Sequence, residues 1–295
     1  VFAALGPNRY PALKTLTTLT LLLALLLLSA SWIIAGRLSA PALSSVGPLP
    51  GDAPFEQVTF AGTAGWYLRG QNENTCVLLL HGIRSHRREM VPLSRLLFDT
   101  GYSSLVIDLQ AHGESPGQAI TFGVRESTSA RNALRFLRQH RGCKRVVAVG
   151  RSLGGAAALL GPAPLDVEGY VLESVYPDIQ TAVRNRLRMR LGAMGALVAP
   201  LLYWQIPLRL DIGLEELQPA KAIQRVKAPV MIMNGTHDQR TTRQDAGLIY
   251  ASVPGRKSIV WFEGAGHGNL FEYDREKYKN ALLDFLQAID EGPAS

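Results

Sequence analysis

Gly150-Arg151-Ser152-Leu153-Gly154 is the stretch of this chain best suited to covalent chemistry. It fits G-x-S-x-G, with an apolar run before it (Arg145–Val149) and a helical pattern after it (Leu153–Leu160). A tight strand-to-helix turn of that kind pushes the serine hydroxyl out of the backbone, and small residues at 150 and 154 let neighbouring segments approach. The pentapeptide alone arises by chance; the flanking strand and helix make Ser152 the candidate nucleophile.

A serine hydroxyl is a weak nucleophile and needs a base within hydrogen-bond reach. Six histidines are available. His86 and His140 lie among charged residues and read as surface positions. His81 ends a strand, His112 sits in a turn beside Gly113, and His237 adjoins Asp238. His267, in Gly264-Ala265-Gly266-His267-Gly268-Asn269, falls between the last strand and the last helix, in a loop flexible enough to reach a serine. It is the expected base. Asp238, after the strand Pro229–Met233, is the expected acid that orients the imidazole, with Asp178 in reserve. Two donors must face the oxyanion of a tetrahedral intermediate. The N–H of Leu153 opens the helix after the nucleophile, and the N–H of Ile83 in His81-Gly82-Ile83-Arg84 is the expected second.

Positioning these groups requires a particular scaffold. Short apolar runs (77–80, 104–107, 145–149, 170–173, 229–233, 258–262) alternate with helical patterns (90–100, 124–140, 153–160, 242–251, 275–289). Near-continuous apolar strands separated by helices predict a parallel sheet covered on both faces. Residues 57–70 read as an antiparallel pair at one edge. Between Val175 and Ala228 the alternation breaks. There Leu187, Leu191, Met194, Val198 and Leu201 follow helical spacing, predicting a small helical cap at about 176–220. The stripe either packs on the main domain or lines a substrate channel.

Leu16–Ala35 (LTTLTLLLALLLLSASWIIA) carries no charge. At about 1.5 Å rise per residue it spans a hydrocarbon core of roughly 30 Å. Arg9 and Lys14 precede it, whereas only Arg37 follows closely, which orients the large C-terminal part out of the cytoplasm. A cleaved signal peptide ending near Leu38-Ser39-Ala40 is the rival; the run exceeds the usual signal core, favouring an uncleaved anchor. The expected organisation is an anchor segment over 1–38, a Pro/Ser/Gly-rich linker over 39–54 and a catalytic domain over 55–295. Net charge is +7, but the basic residues are scattered, apart from Arg184, Arg186, Arg188 and Arg190. No nucleic-acid-binding stripe is formed. That cluster is a solvated basic surface or a membrane- or substrate-facing one. Neither Cys76 nor Cys143 has zinc-ligand spacing, so no metal and no cofactor is expected.

Taken in order, His81-Gly82, the Asp108…His112-Gly113-Glu114-Ser115 turn, the serine elbow, Asn234-Gly235-Thr236-His237-Asp238 and Gly266-His267 resemble the α/β-hydrolase superfamily over about residues 55–290. Within it the chain is similar to bacterial membrane-anchored or secreted members near the prolyl-oligopeptidase and serine-aminopeptidase branches. The resemblance implies an α/β-hydrolase fold with a mostly parallel eight-stranded sheet in order 1-2-4-3-5-6-7-8, and the triad Ser152, Asp238, His267. It also implies Ile83 and Leu153 as oxyanion donors. The same strand order makes Cys76 and Cys143 neighbours near the sheet's amino-terminal edge, where a disulfide is a hypothesis that an extracytoplasmic compartment would permit.

The expected activity is hydrolysis of a carboxylic ester through an acyl-enzyme. Peptidase and acyltransferase activities share the same triad. A catalytically silent, membrane-tethered binding protein is the alternative of another class. The expected partners are a small acyl substrate and the membrane; the apolar cap and anchor point to a lipid or other hydrophobic ester.

Overall fold

The structure is a computed structural model that describes residues 10–292. Its core is an eight-stranded sheet. We number the strands β1 (Glu56–Phe60), β2 (Thr63–Leu68), β3 (Asn72–Leu80), β4 (Tyr102–Ile107), β5 (Arg145–Arg151), β6 (Gly169–Glu173), β7 (Val230–Gly235) and β8 (Lys257–Phe262). Their spatial order is β1-β2-β4-β3-β5-β6-β7-β8, as the resemblance implied. β1 and β2 are antiparallel at one edge, and β3 to β8 run parallel.

Alternation along the strands splits the apolar residues between two faces. Leu78 and Leu80 of β3 and Val146 and Ala148 of β5 share one core cluster, while Val77, Leu79, Val147 and Val149 belong to the other. Helices α3 (Glu126–His140), α4 (Leu153–Leu159) and α10 (Arg243–Ser252) cover the first face; α2 (Val91–Asp99), α11 (Leu270–Tyr273) and α12 (Arg275–Asp290) cover the second.

Register explains how remote motifs meet. Ile107, Leu80, Gly150, Leu172, Ile232 and Ile259 lie in one row across six strands. Residues just beyond this row all leave the same edge of the sheet. They include His81-Gly82, Ser152 and the turns after β7 and β8.

The cap consists of α5 (Ile179–Leu191), α6 (Met194–Val198), α7 (Pro200–Tyr203), α8 (Ile206–Leu210) and α9 (Pro219–Ala222). The apolar stripe read from 187 to 201 is not one helix face. Gly192 takes φ +57° and ends α5, leaving Leu191 and Met194 exposed while Leu187, Val198 and Leu201 are half-buried. A side chain other than glycine is strained at that φ, so the stripe is interrupted where its spacing still looks helical.

Helix α1 (Tyr10–Ser39) holds the one stretch among the described residues long and apolar enough to cross a membrane, Leu13–Ser39. That length and composition suit either an anchor or a signal sequence. The segment read as a linker, 39–54, is docked rather than free. Ala42-Leu43 pairs in parallel with His112-Gly113, Ile120 N–H donates to Ser39 O (2.8 Å), and Val46 N–H to Glu114 Oε1 (3.1 Å). Its proline-rich composition prevents a helix, but its backbone groups find partners in the Asp108–Ser115 turn.

Cys76 and Cys143 form a disulfide, with Cα atoms 5.8 Å apart. Cys76 lies in the middle of β3 and Cys143 two residues before β5, so the bridge staples neighbouring strands.

Candidate active site

Ser152 occupies the turn between β5 and α4 with φ +49° and ψ −107°, an unusual conformation for a non-glycine residue. Its neighbours permit it. A Cβ on Gly150 would approach Gly155 N to 2.4 Å, and one on Gly154 would meet Leu80 O at 2.3 Å. Both glycines are therefore required by backbone-to-backbone contact. Ser152 N–H donates to Glu173 O (2.7 Å), which locks the turn to the end of β6, and the residue is only 5% exposed.

The structure brings Asp238 and His267 together. Asp238 Oδ1 accepts from the N–H groups of Arg240 and Thr241 (both 2.8 Å), and Oδ2 lies 2.8 Å from His267 Nδ1. An ionised carboxylate only accepts, so Nδ1 carries a proton, and in the neutral ring Nε2 is the acceptor. The Asp238 turn is itself held by Asn234, whose Nδ2 donates to Gly235 O (3.0 Å) and Thr241 O (2.9 Å). Gly235 lets the histidine loop cross the strand end, because a Cβ there would lie 2.3 Å from Ala265 O.

Leu153 is the first residue of α4, where a helix leaves N–H groups unpaired by its own carbonyls. Ile83 lies in a turn closed by Ser85 N–H to Gly82 O (3.4 Å), beside Arg84 at φ +57°. Gly82 is buried, yet a Cβ there would meet only Glu89 Oε2, at 4.0 Å.

The reserve acid, Asp178, caps α5. Its carboxylate accepts from Thr181 N–H (2.7 Å) and Thr181 Oγ1 (2.8 Å). His81 and His112 are buried structural groups. His81 Nε2 accepts from Leu109 N–H (3.1 Å) and Nδ1 lies 2.7 Å from Gly82 O, tying the ends of β3 and β4. Burial pushes both imidazoles down to about 4, and their edge-to-face rings, 5.2 Å apart, reinforce neutrality. His86 is half-buried rather than fully exposed; His140 is exposed. Among the described residues, no group of three or more His, Cys, Asp or Glu is arranged to hold a metal.

A buried charge cluster next to the serine was not foreseen. Arg151 Nε donates to Glu173 Oε1 (2.5 Å), Nη1 to Glu89 Oε1 (2.5 Å) and Nη2 to Asn269 Oδ1 (2.7 Å). Tyr278 Oη donates to Glu173 Oε2 (3.2 Å) and Leu270 N–H to Glu173 Oε1 (3.4 Å). One guanidinium thereby links the serine turn, the segment after Gly82 and the histidine loop. Burial would raise Glu89, but the Arg151 charge and the Ser85 hydroxyl hold it below its usual value. Burial would lower Arg151, yet Glu173 and Glu89 raise it further. The available signal was a charge, Glu173, closing an otherwise apolar strand.

The sequence description of the Alpha/beta hydrolase family matches residues 77–279. A carboxylesterase of Bacillus subtilis (strain 168) is 21% identical over 229 residues, covering 72% of this chain and 93% of that protein. The uncharacterized protein YqkD of the same organism is 21% identical over 233 residues, covering 77% and 76%. Among solved structures, the Pyrococcus furiosus esterase Pf2001 superposes with a TM-score of 0.68 at 20% identity, covering 84% of this chain and 98% of that one.

Proposed function

This chain belongs to the alpha/beta hydrolase family, and on that premise we propose that it is a membrane-anchored serine hydrolase that cleaves carboxylic esters through an acyl-enzyme. The esterase-like fold is the starting point; Ser152, His267 and Asp238 are the groups we assign to the chemistry. The observation that carries the reading is the 2.8 Å contact between Asp238 Oδ2 and His267 Nδ1. It places the proton of the neutral ring on Nδ1, which turns Nε2 into the acceptor a general base needs.

In the proposed reaction, Ser152 Oγ attacks the acyl carbon and His267 Nε2 takes its proton. The oxyanion is met by the N–H groups of Leu153 and Ile83. Collapse expels the alcohol, which leaves with the proton from His267. Water, deprotonated by the same imidazole, then releases the acid. Asp238 keeps the ring oriented and stabilises its charged form.

Helix α1 is read as the anchor, with the catalytic domain on the extracytoplasmic side. Arg9 and Lys14 before the apolar run favour that orientation, and the Cys76–Cys143 bridge fits an oxidising compartment.

A fluorophosphonate probe applied to the full chain is expected to label Ser152, and Ser152→Ala to abolish labelling. Asp238→Asn is expected to lower kcat by on the order of 10⁴, as loss of the orienting carboxylate does in serine hydrolysis generally. Acyl esters of graded chain length and aminoacyl amides serve as substrates. Absent labelling refutes the triad, and turnover confined to amides refutes the ester assignment.

A further inference from the structure

Six large apolar side chains on the cap are exposed: Met189, Leu191, Met194, Leu197, Trp204 and Leu208. So many exposed large apolar side chains within twenty residues of a folded domain mark a surface with a partner. We infer that the partner is the lipid bilayer itself: the cap rests on the membrane beside α1, with its apolar stripe at the boundary between headgroups and acyl chains. This rests on the anchored reading given above and adds where the domain sits.

The depth at which α1 meets the domain supports it. From Leu13 to Ala30 the helix is exposed all round; the first buried residue is Ser31, followed by Ala35 and Ser39 on the same face. Counted from Lys14, the last charge before the apolar run, Ser31 lies about 25 Å along the helix at 1.5 Å per residue. A hydrocarbon core is about 30 Å thick, and any tilt shortens the reach along the membrane normal. Contact with the cap therefore begins before the hydrocarbon ends.

The contact is specific. Gln205 Nε2 donates to Ser31 Oγ (3.0 Å); Arg209 donates to Trp32 O, and its guanidinium lies 3.6 Å from the Trp32 ring centre. A cavity of only about 30 Å³ remains in the seam, between Ala35 and Leu38 of α1 and Val183, Leu202 and Ile206 of the cap. On the carbonyl side, Arg84 donates to the Arg37, Leu38 and Ala40 carbonyls and holds the helix end to the main domain. A cap fixed this way cannot stand away from the bilayer while α1 spans it.

The exposed stripe flanks that seam. Met194, Leu197, Trp204 and Leu208, with the half-buried Leu201 between them, follow helical spacing through α6–α8, where Ala199, Trp204 and Gln205 between the short helices keep right-handed helical backbone. Leu201 and Leu208 precede the seam residues Leu202 and Arg209 by one position, about 100° round the helix. Leu197 and Leu208 are 72% and 67% exposed. Beyond the stripe, the exposed Arg188 and Arg190 alternate with Met189 and Leu191. Basic residues beside apolar ones suit anionic headgroups over acyl chains.

Single cysteines test the placement in the full chain, because Cys76 and Cys143 are joined and any introduced thiol is the only free one. Leu22→Cys, Leu197→Cys, Leu208→Cys and Glu276→Cys are each labelled with an environment-sensitive nitrobenzoxadiazole dye. The proteins are reconstituted in phosphatidylcholine–phosphatidylglycerol vesicles containing lipid with a spin-label quencher near the headgroup end of the acyl chain. Blue-shifted emission and severalfold quenching are expected at 197 and 208, blue-shifted emission at 22, and neither at 276 on α12. If 22 is in lipid while 197 and 208 behave like 276, the cap stands off the membrane and only this inference falls. If 22 stays in water, the anchor reading fails and this one with it. Equal quenching at all four positions also overturns it.

Discussion

Replacing Arg151 by methionine removes a buried cation from between two carboxylates while keeping an unbranched apolar stem. Glu173 is fully buried and would keep only the Tyr278 hydroxyl and Leu270 N–H as partners. Breaking a buried ion pair from one side costs about 3–5 kcal/mol, chiefly because the remaining charge is stranded. For a domain of this size that corresponds to a fall in Tm on the order of 10 °C. Arg151→Met with Glu173→Gln removes the stranded charge; the amide oxygen keeps an acceptor for Leu270 N–H, and the Tyr278 hydroxyl can turn to accept from the amide NH2, so recovery of at least about 2 kcal/mol is expected. Guanidinium unfolding of the full chain in detergent, compared across wild type, single and double variants, gives the values. A cost below about 1 kcal/mol for Arg151→Met, or a double variant no more stable than the single, refutes the assignment of Arg151 as the counter-charge of Glu173. Arg151 is also a positioning residue for the histidine loop through Asn269. Arg151→Met should therefore lower kcat at nearly unchanged KM, measured well below its reduced Tm.

Two further outcomes follow from buried groups. The Cys76–Cys143 bridge closes a 67-residue separation, and Cys76→Ser with Cys143→Ser is expected to cost about 4 kcal/mol by loop entropy, read as a lower unfolding midpoint unaffected by reductant; a midpoint equal to the wild type's overturns it. His81 and His112 are held near 4 in the folded chain against about 6.5 unfolded, so the unfolded state binds more protons between those values. Stability is full above about pH 6.5 and is lost as pH falls toward 4, by up to about 3 kcal/mol per histidine; unfolding midpoints that stay flat from pH 7 to 5 refute this.

The sheet was legible because its strands are buried on both sides. Runs such as Val77–Leu80 and Val146–Val149 leave no polar face to confuse with a surface helix, and the intervening helices show amphipathic spacing. The serine turn was legible because Gly150 and Gly154 are demanded by backbone contact, which restricts residue type sharply. The disulfide could be anticipated only once strand order was known, since nothing local to Cys76 or Cys143 marks them as partners. Three features were not readable. Gly192 breaks the cap helix without disturbing its apolar spacing. The 39–54 segment docks through backbone groups, which leave no side-chain signature. The Arg151 cluster joins residues 89, 151, 173 and 269, so its members are adjacent only in three dimensions.

That cluster shows why the site holds together despite its scattered origins. The parallel register brings the turns after β3, β5, β7 and β8 to one edge, but register alone positions strand ends and not loops several residues beyond them. Ser152 is one residue past its strand, Asp238 three past β7 and His267 five past β8. The longer the excursion, the more independent tethering is required. Asp238 is held by two N–H groups of its own turn, which the Asn234 side chain braces and Thr241 Oγ1 ties to Ser174 O (3.1 Å). His267 follows the longest excursion, and its loop is tied at both ends to other elements: His237 N–H to Ala265 O (2.9 Å) on one side and Arg151 to Asn269 on the other. Arg151, directly before Ser152, thus couples the His267 loop to the Ser152 turn, so that a displacement of one carries the other with it.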